Sequence, residues 1–138
     1  VVERLGPQDE TLFRGEDVDY NWRLQQLGHT VWFDPAIKVL HHHRPTLSDW
    51  LHQHYMYGRA YYLVRRKWPE MYCVYPHGLR RPKDLLKAAN FVAAAFYEPL
   101  FALRRLPRFT DKVLAYPVLL ANQLGWRSGM IRQKLGEA

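Results

Sequence analysis

The densest group of chemically capable side chains is a run of three acids, Glu16, Asp17 and Asp19, directly after Gly15. Acids are favoured in the first turn of a helix, where backbone N–H groups are unpaired and the helix dipole is positive. A carboxylate fixed there with one oxygen free meets the requirement for a general base. The same acids could also form an ordinary solvated first turn. The acids alone leave both interpretations open.

His41, His42 and His43 form a second candidate site. The residues before them predict a β-strand, because Ile37, Val39 and His41 share one face at a period of two. Alternation lets at most two of the three imidazoles point the same way, so the three cannot all chelate one ion from a regular strand. A tag fragment is disfavoured because the run is internal and continues the β pattern, so a solvent-exposed patch and a metal site are the alternatives.

A third group lies on a predicted helix and comprises Gln53, Tyr57, Gly58 and Arg59. Arginine matches a phosphate through two parallel hydrogen bonds, and the flat face of a tyrosine suits a sugar ring. Gly58 would let a ligand or a neighbouring backbone come close. The alternative is an amphipathic helix whose tyrosine stripe is core.

The elements that position these groups follow from caps and periodicity. The pattern predicts a helix from residue 16 that ends at Gly28, β-strands at 30–33 and 37–41, and a helix that starts with a capping box at 46–49 and ends before Trp68. Apolar segments at 88–103 and 113–126 predict further helices. Both are shorter than the ~20 apolar residues of a membrane span. Flanking cations favour helices that lie on a membrane surface, with core helices as the alternative.

Composition restricts the class of protein. The 138 residues carry a net charge of +7 and are 48% hydrophobic, which suits one folded domain and excludes a disordered tail. Residues 1–40 hold seven acids and four bases, a charge of −3, so the remainder carries +10. A basic body suggests phospholipid, nucleic acid or a nucleotide diphosphate as partner. The single cysteine, Cys73, excludes an internal disulfide and is predicted to be a packed, reduced thiol.

The order of motifs in residues 1–66 resembles the end of the catalytic domain in family 2 (GT-A type) glycosyltransferases. The motifs are Leu5-Gly6-Pro7, Asp9-Glu10, Leu12-Phe13, Gly15-Glu16-Asp17-Val18-Asp19, Arg23-Leu24, Gly28-His29, Phe33-Asp34-Pro35 and His41. The resemblance implies an α/β remnant: the C-terminal part of a GT-A (nucleotide-diphospho-sugar transferase) fold, with one short β-hairpin-like region and otherwise mainly α-helices. It also implies inverting transfer of a sugar from a nucleotide-sugar donor to a hydroxyl acceptor.

The resemblance also implies roles for individual residues. Asp17 corresponds to the base that removes the proton of the attacking hydroxyl, with Glu16 as its neighbour. His41 corresponds to a ligand of the divalent cation, Mn²⁺ or Mg²⁺, on the donor diphosphate, most of whose ligands are expected outside this chain. Substrate contacts are implied for Gln53, Tyr57 and Arg59, although Met56-Tyr57 stands where related polymerising enzymes have Arg-Trp.

Asp17-Val18-Asp19 also matches the Asp-x-Asp pattern with which this family binds its nucleotide and metal. In the family that motif lies earlier in the fold, whereas here the three residues lie at the predicted start of a helix. Asp19 stands four residues before Arg23, a spacing at which opposite charges stabilise a helix. We therefore predict that Asp19 pairs with Arg23 rather than with a metal ion.

The expected organisation is a part of the catalytic domain at 1–66, a linker at 67–82 and basic membrane-associated helices at 83–138. The donor-binding half is expected to precede Val1, so the chain alone is expected to be inactive. Expected partners are a nucleotide-sugar donor, a glycan or lipid-linked acceptor and an anionic membrane surface, at the cytoplasmic face of a bacterial inner membrane. No nucleic acid is expected, because no nucleic-acid motif accompanies the basic residues. A non-catalytic basic interaction module that binds a membrane or nucleic acid is the alternative.

Overall fold

The computed structural model describes residues 2–71, 79 and 81–136. All regular secondary structure in these residues is α-helical. The helices are α1 (Val2–Leu5), α2 (Glu16–Gln26), α3 (Leu47–Lys67), α4 (Pro82–Leu103) and α5 (Phe109–Gly136). The long helices pack through two contacts, α3 against α5 and α4 against α5.

The ends of α2 confirm the predicted boundaries. Gly15 precedes the helix with a φ of 82°, in the left-handed region. At the other end Gly28 has a φ of 77°. The N–H of His29 donates to the Leu24 carbonyl at 3.1 Å, and the N–H of Gly28 donates to Gln25 at 2.9 Å. These two bonds form a Schellman motif, which satisfies the last carbonyls of the helix.

The start of α3 also confirms its predicted cap. The hydroxyl oxygen of Thr46 accepts a hydrogen bond from the backbone N–H of Asp49 at 3.1 Å. The Thr46 hydroxyl also donates to the Asp49 carboxylate at 2.7 Å. A capped start and the break at Trp68-Pro69 thus define a helix of 21 residues.

The predicted α/β remnant of a GT-A fold is wrong for the described residues. The segment between α2 and α3, where the β-hairpin-like region was expected, contains no strand. Its large side chains lie on the surface, with Trp32 88% and Leu40 85% exposed. An isolated two-stranded hairpin is at best marginally stable in water, because it lacks further strands or a helix to bury one of its faces. The expectation of mainly α-helical structure elsewhere is confirmed.

The backbones of α3 and α5 touch where they cross. A Cβ atom added to Gly58 would lie 1.8 Å from the Trp126 carbonyl oxygen, and one added to Gly129 would lie 2.1 Å from the Tyr55 carbonyl oxygen. Only glycine permits so close an approach. Of the two reasons considered for Gly58, the neighbouring backbone is the one observed.

A small core lies beside this crossing, and a buried arginine ties α5 to α4. Tyr62, Phe91 and Met130 form the buried cluster. The guanidinium of Arg127 donates to the Phe91 carbonyl at 2.6 Å and to the Glu98 carboxylate at 2.8 Å. Because the charge of Arg127 is paired and hydrogen-bonded, its burial is tolerated.

Half of the predicted linker at 67–82, including Cys73, lies outside the described residues. The domain boundaries at 66 and 83 stay predictions. Within the part of the chain that the structure describes, no helix has both the length and the apolar character needed to cross a membrane.

Candidate active site

A cleft of about 280 Å³ opens where the start of α2 meets α3 and α5. Most of its lining is aromatic or apolar, with one carboxylate and one guanidinium. The lining residues are Gly15, Asp17, Val18, Tyr57, Ala60, Tyr61, Val64, Arg65 and Trp126. A mainly apolar cleft with a few polar groups is the usual form of a small-molecule site.

Asp17 reaches the cleft because Gly15 lets the chain turn tightly against α3. A Cβ atom at Gly15 would meet the Val64 side chain at 3.0 Å, and the left-handed φ would strain any other residue. The Asp17 side chain is exposed. Its Oδ1 accepts from the N–H of Val18 at 2.8 Å. Its Oδ2 receives no hydrogen bond from the described residues, so one oxygen of a cleft-lining carboxylate is unengaged.

Tyr57 lies in the same cleft and is held by two neighbours. The amide Nε2 of Gln53 donates to the Tyr57 hydroxyl at 2.8 Å. The guanidinium of Arg14 lies 5.5 Å from the centre of the tyrosine ring, a cation–π contact. The ring is 43% exposed. Tyr57 therefore combines a fixed position with partial exposure.

Tyr61, Trp126 and Arg65 complete the cleft. The rings of Tyr61 and Trp126 meet edge to face, with their centres 5.0 Å apart. Arg65 lies 4.6 Å from the centre of the Tyr61 ring. Its Nε atom is buried and has no hydrogen-bond partner among the described residues, and its Nη1 donates to the Sδ of Met71 at 3.0 Å. Arg65 thus brings a positive charge to the lining of the cleft.

Four of the predicted site residues do not line the cleft. Glu16 begins α2 beside Asp17, and Gln53 acts through Tyr57. Arg59 donates to Gln133 at 2.9 Å, and its guanidinium lies 5.1 Å from the ring centre of Phe13. The fourth residue, His41, lies on the exposed segment between α2 and α3. The structure therefore brings Asp17 and Tyr57 together.

That histidine, His41, lies with its ring centre 5.0 Å from that of His43. Among the described residues, no three His, Cys, Asp or Glu side chains come together as a metal site. The residues present therefore do not build a divalent-cation site by themselves. His41 stays a prediction as a single ligand.

Below the cleft, Asp19 is fully buried and accepts three charged or polar donors. These are Arg23 Nε at 3.0 Å, Lys67 Nζ at 2.7 Å and Trp68 Nε1 at 2.7 Å. The predicted pair with Arg23 is confirmed. Lys67 also binds the carboxylate of Asp9. This network joins the start of α2 to the end of α3, and so fixes the turn of helix that carries Asp17.

The network changes the ionisation of its members. Burial raises the pKa of Asp19, but the hydrogen bonds from Lys67 and Trp68, together with the charges of Lys67 and Arg23, outweigh it and lower the pKa. Burial lowers the pKa of Lys67, but its two carboxylate partners reverse this and raise it. The hydrogen bond from Lys67, with smaller help from Thr11, holds the pKa of Asp9 well below its usual range. All three groups are therefore charged at neutral pH.

Sequence reasoning missed Lys67, Trp68 and Asp9 in this network and Trp126 in the cleft. Each meets its partner across dozens of residues, and no spacing rule connects such positions. For Trp68 and Pro69, the sequence predicted only that the preceding helix ends there.

A stretch of 58 residues is 40% identical to the pre-mycofactocin glycosyltransferases of Mycobacterium tuberculosis strains CDC 1551 / Oshkosh and ATCC 25618 / H37Rv. The stretch makes up 42% of this chain and 12% of each of those proteins, so the match spans a small part of the curated relatives. No family model matches the chain. No solved structure matches it significantly. The similarity supports a glycosyltransferase in general terms.

Proposed function

We propose that this chain provides the acceptor side of an inverting glycosyltransferase of family 2. One observation carries the proposal. The carboxylate of Asp17 and the ring of Tyr57 line the same cleft. A base and an aromatic side chain in one cleft suit a sugar hydroxyl that must lose a proton. The similarity to a glycosyltransferase supports sugar transfer in general.

In the proposed reaction, the acceptor hydroxyl gives its proton to the carboxylate of Asp17. The acceptor oxygen forms a bond to the anomeric carbon of the nucleotide-sugar donor. The bond between that carbon and the diphosphate oxygen breaks on the opposite face, and the nucleoside diphosphate leaves. Support comes from the exposed side chain of Asp17 and its unengaged Oδ2. Glu16 is its proposed neighbour at the helix start.

Aromatic side chains are proposed to hold the acceptor. The ring faces of Tyr57, Tyr61 and Trp126 would pack against the apolar faces of a sugar, while Arg65 would donate hydrogen bonds to its hydroxyl groups. Gln53 would act by orienting the hydroxyl of Tyr57.

Two further residues are proposed to act on the donor side. Arg59 would pair with the diphosphate, for which it would have to release Gln133. His41 would provide one ligand to a divalent cation, with the other ligands supplied from elsewhere. An imidazole ligand suits Mn²⁺ better than Mg²⁺, which prefers oxygen.

The proposed partners are a nucleotide-sugar donor and a glycan or lipid-linked acceptor. The proposed location is the cytoplasmic face of a bacterial inner membrane. Support comes from the charge of +10 that the sequence carries after residue 40. A basic body is attracted to an anionic lipid surface.

The base assignment is tested with Asp17→Asn in the complete transferase that contains this segment. Asparagine keeps the size of the side chain but accepts no proton, so we expect kcat to fall by ~10²–10⁴. Glu10→Gln is the matched control, because Glu10 is an exposed carboxylate that does not line the cleft. Turnover of Asp17→Asn within about tenfold of the unchanged enzyme would show that Asp17 is not the base.

A further inference from the structure

The turn between α4 and α5 forms a second surface, which we name the α4–α5 tip (residues 100–116). Large apolar side chains are exposed there. Phe109 is 79% exposed, Leu114 is 72% exposed and Phe101 is 54% exposed. Several large exposed apolar side chains in one part of a protein mark a surface that a partner or a membrane can cover.

The tip also contains a groove between the two helices. Its volume is about 550 Å³, larger than that of the cleft. Leu100, Leu103 and Val113 are among the apolar residues that line it, and Arg104 and Lys112 stand in the same lining. The hydroxyl of Tyr116 donates to the carbonyl of Phe96 at 3.3 Å, which joins the two helices beside the groove.

Positive charge surrounds the apolar surface. The tip contains one acid, Asp111, and four cations, which are Arg104, Arg105, Arg108 and Lys112. Its net charge is therefore +3. None of the four cations forms an ion pair with a carboxylate of the described residues. The guanidinium of Arg104 lies 4.8 Å from the ring centre of Phe101.

We infer that the α4–α5 tip docks on an anionic phospholipid surface. Phe101, Phe109 and Leu114 would enter the interface between headgroups and acyl chains. The cations would bind lipid phosphates, and the groove would accept part of an acyl chain. A cation lying on an exposed aromatic ring can keep its charge among the headgroups while its stem and the ring are buried.

Charge complementarity identifies the occupant as an anionic lipid surface. The tip has a charge of +3 beside exposed apolar side chains, and each cation close to anionic headgroups is attracted to them. The inference rests on the proposed membrane location and makes it specific, because it assigns the contact to one surface. It does not depend on the transfer reaction.

The test is binding of the 138-residue chain to vesicles of phosphatidylcholine with or without phosphatidylglycerol, measured by vesicle sedimentation. We expect strong binding only to the vesicles with phosphatidylglycerol. Arg104→Ala with Lys112→Ala should weaken that binding by about thirty-fold, because each cation near an anionic surface contributes about fivefold. Phe109→Ser with Leu114→Ser should also weaken it, since both side chains are exposed and their loss leaves the core intact.

Lys83→Ala with Arg132→Ala is the matched control. It removes the same charge, but from the opposite ends of α4 and α5. We expect a loss below about threefold, because these residues lie further from the membrane than a Debye length. Equal losses in the two double variants would assign binding to overall charge and overturn the inference.

Two other outcomes would also overturn it. If the unchanged chain does not bind vesicles that contain phosphatidylglycerol, both the tip and the membrane location are wrong, while the role of Asp17 is unaffected. If sedimentation shows a dimer that Phe109→Ser dissociates, a second copy of the chain covers the tip instead.

Discussion

Asp17 and Asp19 stand two residues apart on one helix and have opposite environments. Two residues turn an α-helix through about 200°, so the two side chains point to nearly opposite sides. Asp19 points inward, where Arg23, Lys67 and Trp68 occupy its oxygens. Asp17 points to the cleft with one oxygen unengaged. The buried carboxylate holds the helix, and the exposed one is available for chemistry.

The acids of this network predict how stability depends on pH. The pKa values of Asp9 and Asp19 are both lowered in the folded state. Their contribution to stability is therefore fully present above the unfolded carboxyl pKa of about 4 and is lost as pH falls towards the folded values. We expect the free energy of unfolding, from urea titrations, to decrease as the pH falls from about 4 towards 2, and Asp9→Asn to make that decrease smaller.

Glu10→Gln provides the comparison, because it removes a neighbouring exposed carboxylate that forms no ion pair with the described residues. If Asp9→Asn and Glu10→Gln change the pH dependence equally, the bond between Asp9 and Lys67 does not stabilise the fold.

At the scale of single residues, the sequence predicted contacts between residues that are close together in the chain. The pair of Asp19 with Arg23 follows from a spacing of four on a helix, and it is present. Lys67 and Trp68 could not be predicted as partners of Asp19, because their side chains reach it from 48 and 49 residues further along the chain only in the folded structure. For the same reason Trp126 was absent from the predicted site although it lines the cleft.

At the scale of elements, the crossing of α3 and α5 depends on the two glycines at the contact. We expect Gly129→Ala to lower the free energy of unfolding by about 3 kcal/mol, because the new methyl group would meet the Tyr55 carbonyl at 2.1 Å and overpacking usually costs ~1–3 kcal/mol. Thermal unfolding followed by circular dichroism measures the change.

Gly125→Ala is the control one turn earlier on the same helix. A Cβ atom at Gly125 would lie 3.8 Å from the Leu51 carbonyl oxygen, which is ordinary contact. Alanine is favoured over glycine in a helix by about 1 kcal/mol, so this variant should be as stable as the unchanged chain or more so. A stable Gly129→Ala would mean that the two helices do not cross as closely as described.

The caps made the helices predictable, whereas residue preferences misled for the strands. Thr46 at the start of α3 and Gly28 at the end of α2 satisfy backbone groups within a few residues, so sequence alone locates them. Val31, Trp32 and Phe33 have high β-propensity, but that preference reflects packing on a half-buried sheet. The described residues offer no such sheet, and these side chains are exposed.

At the scale of the whole molecule, α5 connects the two proposed sites. Trp126 lies in the cleft and Phe109 lies at the α4–α5 tip. A rise of 1.5 Å per residue places them about 25 Å apart along the helix. An enzyme docked through the tip would therefore hold the cleft at a fixed distance from the membrane, which suits an acceptor that extends from a lipid.

The cleft beside Asp17 is proposed to bind the acceptor sugar. The five tryptophans give the most direct measurement, because each indole N–H has its own nuclear magnetic resonance signal. The saccharide that the complete enzyme glycosylates is titrated into the ¹⁵N-labelled chain, and Trp126→Phe identifies the signal of Trp126. We predict that this signal moves while that of Trp32, which is 88% exposed and outside the cleft, stays in place. If the Trp126 signal stays fixed at saccharide concentrations that saturate the complete enzyme, the acceptor binds elsewhere and the account is contradicted.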